Sequence, residues 1–136
     1  MRRLLLGVTV GLGVLAGCAP RATRPSPKEE RPSPRTYLEE GLASYYGPGL
    51  EGRPTASGEK FNPQKLTAAH KKLPFGTCLR VVNMENGRSV EVRVNDRGPF
   101  VQGRVVDVSL AAAKQLDMLK KGLARVRIYR CADRAG

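Results

Sequence analysis

Tryptophan is absent from this chain, rings make up only 5% of it, and there is a single histidine. So few aromatics leave no stacking platform for nucleic acid, and no recognition helix replaces it, so nucleic acid is not an expected partner. The one His and the two oxidisable cysteines, Cys78 and Cys131, lack ligand spacing, so no metal site is expected. No phosphate-cradling glycine loop occurs either, and no cofactor is expected. Acidic residues are also scarce, 12 against 24 Lys and Arg, for a formal charge of +12. That balance suits a polyanionic surface such as anionic lipid or acidic cell-wall polymer, but the basic residues are spread along the chain and also suit a plain solvated exterior.

Long apolar runs are missing as well. The stretch "LLLGVTVGLGVLA" from Leu4 to Ala16 follows Arg2 and Arg3 and is too short to span a bilayer comfortably; it has the length of a signal-peptide core. It ends in Leu15-Ala16-Gly17-Cys18, which resembles the lipobox of bacterial lipoproteins. That resemblance implies cleavage after residue 17, lipid on Cys18 and anchoring at a bilayer surface. Ala19 stands where an Asp would signal retention at the inner membrane, so the periplasmic face of the outer membrane is the expected location. Residues 18–36 hold five prolines and almost no apolar side chain, which reads as an extended tether. The ordered domain is expected over residues 37–132, with a short tail at 133–136 and a monomeric state.

Cys78 and Cys131 remain once Cys18 is set aside, an even pair in a compartment that permits disulfides. Alternation places Leu79 and Val81 on one face with Cys78 on the other, and Val126 and Ile128 on one face with Cys131 on the other. Both thiols therefore sit on polar strand faces, and a Cys78–Cys131 disulfide is expected rather than two unpaired thiols.

Strands are expected at 41–47, 77–82, 89–95 and 104–109 and across "GLARVRIYRC", with a turn at Asn86-Gly87; "LTAAH" at 66–70 reads as a strand or one helical turn. Ser109 can N-cap a helix from Leu110 to Leu116 or Met118. Five or six short strands with one helix predict a small, mainly β barrel. The Gly-, Pro- and Ser-rich segment from 48 to about 66 reads as a long ordered loop of the kind that carries function.

Within "RVNDRGPF" the inward parity of Val90, Val92 and Val94 extends to Asp96. Burial there favours a neutral carboxyl, whereas Arg93 or Arg97 beside it favours a charged one. Asp96 reads either as a turn former or as a catalyst.

Four blocks, "GLASYYGPGLEGRPTASGEKFNP", "LTAAHKKLPFGT", "VVNMENGRSVEVRVNDRGPF" and "GRVVDVSLAAAKQL", occur in an order that resembles the rare lipoprotein A (RlpA-like) family over residues 41–130. The resemblance implies a six-stranded double-psi β-barrel with one or two short helices. It also implies an envelope lipoprotein that acts as a lytic transglycosylase on peptidoglycan glycan strands, preferring strands without stem peptides and leaving 1,6-anhydro ends. Carried over block by block, the expected catalytic residues are Asp96, Glu59 and His70, with Tyr46, Ser57 and Arg97 as substrate contacts.

A glycosidic bond needs an acid at its leaving oxygen, and an internal C6 hydroxyl can replace water as nucleophile, so one carboxyl can serve as acid and then base. Asp96 is the candidate for both steps. Glu59 is expected to orient the sugar or stabilise positive charge, and His70 to hydrogen-bond a carboxyl or the substrate. The alternatives are a turn cap, a solvated loop residue and a structural histidine. The chain departs from the family in having Tyr45 where Trp is expected and Glu51 where His is common. Many members carry a C-terminal glycan-binding SPOR domain; only "ADRAG" follows Cys131, so septal recruitment by that route is not expected. A non-catalytic, expansin-like glycan-binding module and a structural envelope lipoprotein are the competing functional classes.

Overall fold

In the computed structural model the described residues are 36–132, together with 7, 10–13 and 17. Most of the apolar N-terminal stretch, Cys18, the Pro-rich tether and the 133–136 tail lie outside them. Within 36–132 there are six strands and one helix: β1 Tyr37–Tyr45, β2 Thr67–Ala69, β3 Cys78–Asn83, β4 Ser89–Asp96, β5 Arg104–Val108, α1 Leu110–Gln115 and β6 Ala124–Arg130. The strands close into a barrel in the order β1-β5-β2-β4-β3-β6. Two neighbouring pairs, β1/β5 and β2/β4, are parallel and the rest antiparallel. This is the double-psi arrangement expected from the sequence blocks.

The interior is set by alternation. Leu79 and Val81 from β3, Val90, Val92 and Val94 from β4, Val106 and Val108 from β5, and Val126 and Ile128 from β6 are all buried in one core. Branched side chains suit such a pleated, filled interior. Leu116 and Met118, just past α1, join the same core. Ser109 caps α1 as expected, its hydroxyl accepting from the Ala112 N–H at 3.3 Å. The helix stops at Gln115, because Asp117 takes a positive φ of 52° that no helical residue adopts.

Strand β1 begins at Tyr37, earlier than expected, because Tyr37, Glu39 and Glu40 pair with Tyr129, Ile128 and Arg127 of β6. That distant partner leaves no mark on the local sequence. Cys78 and Cys131 are joined in a disulfide that ties β3 to the end of β6.

Inward parity fails at the end of β4. Val94 and Asn95 are consecutive and both buried, while Asp96 is half-buried. The register of β2 against β4 slips here, with Ala68 opposite Val94 and Ala69 opposite Asp96. The extra residue turns Asp96 out of the core, so the inward carboxyl expected from strict alternation is replaced by one at the barrel's end.

Candidate active site

Asp96 closes β4, and three donors reach its carboxylate. The Ala56 N–H and the Arg97 N–H both donate to Oδ1, at 2.8 Å and 2.9 Å, and the Tyr46 hydroxyl donates to Oδ2 at 2.7 Å. Tyr46 follows β1, so strand, loop and turn converge on one side chain. Burial, and then the hydrogen bond to Asp96, push the Tyr46 phenol well above its ordinary value of 10.0, so it remains a neutral donor.

Neither neighbouring arginine places its guanidinium on Asp96. Arg97 turns back to the loop after β2, with Nη1 donating to the carbonyls of Leu73 at 2.9 Å and His70 at 3.3 Å. Its guanidinium also stacks 4.0 Å from the Phe75 ring centre. Arg93 is taken by Glu59 in a two-pronged ion pair, both contacts at 2.8 Å. Arg93 holds the Glu59 carboxyl below the ordinary 4.5, and Asn95 adds a further hydrogen bond that acts in the same direction.

Glu59 lies in a small hairpin over residues 53–61. Pro54 bridges to Lys60, the Thr55 N–H and hydroxyl both donate to the Glu59 carbonyl, and the Phe61 N–H donates to the Arg53 carbonyl. Ser57 sits exposed at its tip, its N–H donating to the Asn95 carbonyl at 3.2 Å and its hydroxyl 3.0 Å from that of Thr55. The segment read as a long loop thus contains a folded hairpin seated on the end of β4.

His70 is buried, and its N–H donates to the Asp96 carbonyl at 3.1 Å. Its Nδ1 accepts the N–H groups of Lys72 and Leu73, each at 3.1 Å, so the ring proton sits on Nε2 and is donated to Glu39 Oε1 at 2.6 Å. The imidazole therefore engages a carboxyl, as one of its expected roles required, but the carboxyl comes from β1. Glu39 escaped notice in the sequence because it precedes the recognisable blocks.

Asp107 was also missed. It lies on the polar face of β5, and the Ser44 hydroxyl donates to its carboxylate in a close contact. Its charge reinforces the neutral state of Tyr46. The signal was present in "VVDVS", where an acidic residue alternates with core valines.

Beside Tyr46 runs an apolar groove of about 410 Å³, walled by Tyr45, Tyr46, Pro48, Phe61, Pro63 and Leu110, with Glu51 at its edge. The Tyr46 and Phe61 rings lie 4.4 Å apart, and the Tyr45 hydroxyl is anchored on the Leu119 carbonyl at 3.0 Å. Both departures from the family pattern, Tyr45 and Glu51, belong to this groove. Glu59, Asp96, Tyr46 and Ser57 are gathered around the 53–61 hairpin; His70 and Arg97 serve the neighbouring 70–75 loop.

Comparison with known proteins is consistent with this geometry. Residues 38–128 match the family described as lytic transglycolase. The chain is 60% identical over 91 residues to a probable endolytic peptidoglycan transglycosylase RlpA of a Nostoc species, covering 65% of this chain and 24% of that protein. It is 55% identical over 89 residues to the endolytic peptidoglycan transglycosylase RlpA of Campylobacter jejuni, covering 65% of this chain and 32% of that protein. The chain thus spans roughly a quarter to a third of these curated relatives. Among solved structures it resembles the apo expansin of Clavibacter michiganensis, with a TM-score of 0.55 at 23% identity, over 71% of this chain and 52% of that one. At that identity the likeness concerns the fold alone.

Proposed function

The chain belongs to the lytic transglycolase family, and we propose that it cleaves the bond between N-acetylmuramic acid and N-acetylglucosamine in peptidoglycan glycan strands, leaving 1,6-anhydro ends. The observation that carries this reading is Asp96, a half-buried carboxyl held by three donors next to an aromatic groove. Aromatic faces suit the apolar faces of sugar rings, and the fixed carboxyl suits proton transfer at the bond beside them.

The two oxygens of Asp96 are unequal. Oδ1 takes two backbone N–H groups, which occupy its lone pairs, whereas Oδ2 takes only the Tyr46 hydroxyl and keeps one lone pair for a proton. In the proposed reaction Asp96 enters with a proton on the free lone pair of Oδ2 and gives it to the leaving glycosidic oxygen as the C1–O bond breaks, becoming the carboxylate that the three donors hold. The muramic acid C6 hydroxyl then attacks C1, and its proton passes to the same carboxylate, which restores the starting state without water. Tyr46 and Ser57 are the proposed substrate contacts, while Arg97 contributes by holding the 70–75 loop. Strands without stem peptides are the proposed preference. Lipid on Cys18 and the Pro-rich tether would hold the barrel in the periplasm at the outer membrane.

The test is incubation of the protein with intact and with stem-peptide-free glycan strands, followed by mass spectrometry. Fragments ending in 1,6-anhydromuramic acid are expected, more from the stripped strands. Binding without fragments would assign the barrel to non-catalytic glycan binding.

A further inference from the structure

The Arg93–Glu59 pair connects two points on the same strand. It starts at Arg93 in β4, passes to Glu59, and continues through the hairpin, where the Glu59 carbonyl accepts from Thr55 N–H and the Gly58 N–H donates to the Thr55 carbonyl. It returns to β4 through the Ala56 N–H on Asp96 Oδ1 at 2.8 Å. The Ser57 N–H on the Asn95 carbonyl, at 3.2 Å, holds the hairpin's tip to β4 beside Ala56, and the Arg93–Glu59 pair holds its second arm. A guanidinium gripping both carboxylate oxygens fixes orientation as well as distance, which a single ion contact does not.

The side chains are 44% exposed for Arg93 and 29% for Glu59, so solvent screens the pair and its contribution to stability is modest even with two-pronged geometry. With both its oxygens on Arg93 and a further bond from Asn95, Glu59 is also poorly free to reach a sugar.

We propose that Arg93 is a positioning residue: with Glu59 it forms a clamp that seats the 53–61 hairpin on β4 and aims the Ala56 N–H at Asp96 Oδ1. Glu59 works through this clamp and not as an acid or base on the glycan. The proposal rests on the transglycosylase reading for its kinetic consequence, while its structural consequence stands apart from it.

The experiment exchanges the charges in the full protein: Glu59→Arg, Arg93→Glu, and both together. Each single variant reverses one partner and breaks the clamp. In each, the Ala56 amide should exchange its hydrogen faster, and kcat on stripped glycan strands should fall about 10- to 100-fold with KM little changed, the scale expected for a misplaced reacting group. The double variant should recover slow exchange and most of the turnover. Arg93→Lys, which keeps charge but loses the two-pronged grip, should fall between.

Unchanged Ala56 exchange in the single variants would overturn the clamp, whatever the activity. A double variant with restored exchange but no turnover would assign Glu59 a direct part in the chemistry and overturn the positioning role. If the parent protein forms no anhydro product, the transglycosylase reading fails, and the exchange measurement still decides the clamp.

Discussion

Among the described residues, the Tyr46 hydroxyl is the one side-chain donor on Asp96. Kept neutral by burial and by the carboxylate it touches, it stays a donor across the whole range in which the protein would work. Tyr46→Phe preserves the ring contact with Phe61 and removes only the hydroxyl. A hydrogen bond to a charged group is worth about 1.5–3 kcal/mol, so steady-state assays should show kcat falling about 10- to 100-fold while glycan binding is retained.

Glu59 provides a second prediction at this scale. Its folded value lies below the ordinary 4.5 because of Arg93, so the paired form stabilises the folded state fully above about pH 4.5 and is lost as the pH falls through the lower folded value. The difference in urea midpoint between the parent and Glu59→Gln should be small but constant near neutrality, and should shrink towards zero in acid. A difference that grows on acidification would contradict the assigned direction.

At the scale of elements, alternation made the valine strands legible, because a filled barrel interior demands a side chain of similar shape at every second position. Ser109 and the helix after it were legible for an equally local reason, the cap hydroxyl. What stayed hidden was non-local. The start of β1 depends on β6, and the outward turn of Asp96 depends on a register slip against β2. Asp96 is therefore singled out only by its sequence block, while strict parity places it on the wrong side. Likewise, Glu59 and His70 were visible as residues, but their partners Arg93 and Glu39 emerge only when strand and loop are brought together.

Gly41 shows how closely these elements pass. A Cβ there would lie 2.5 Å from Val105 Cγ1 and 3.0 Å from the Gly103 carbonyl, where β1 crosses the loop that leads into β5. Gly41→Ala should destabilise the barrel by about 1–3 kcal/mol, measured by chemical denaturation. An unchanged midpoint would show that the crossing can relax.

For the whole molecule, the disulfide and the closed barrel work together. Cys78 and Cys131 are 53 residues apart in sequence, and the bond links β3 to the end of β6. Closing a loop of that length is worth about 4 kcal/mol in the chain-entropy description, a large share of the stability of so small a domain. Reduction, or Cys78→Ser with Cys131→Ser, should lower the unfolding free energy by about 2–5 kcal/mol, read from urea curves with and without reductant. Turnover below the lowered midpoint should persist, because the bridge ties the start of β3 to the end of β6, whereas the donors on Asp96 come from Tyr46, Ala56 and Arg97.

The most direct test compares the parent protein with Asp96→Asn on stem-peptide-free glycan strands, with products read by mass spectrometry and folding by thermal unfolding. The parent should release fragments ending in 1,6-anhydromuramic acid, and Asp96→Asn should release none while remaining folded and bound to glycan. Anhydro ends produced at the parent rate by a folded Asp96→Asn protein would contradict the assignment of Asp96 as the acid and base of this site.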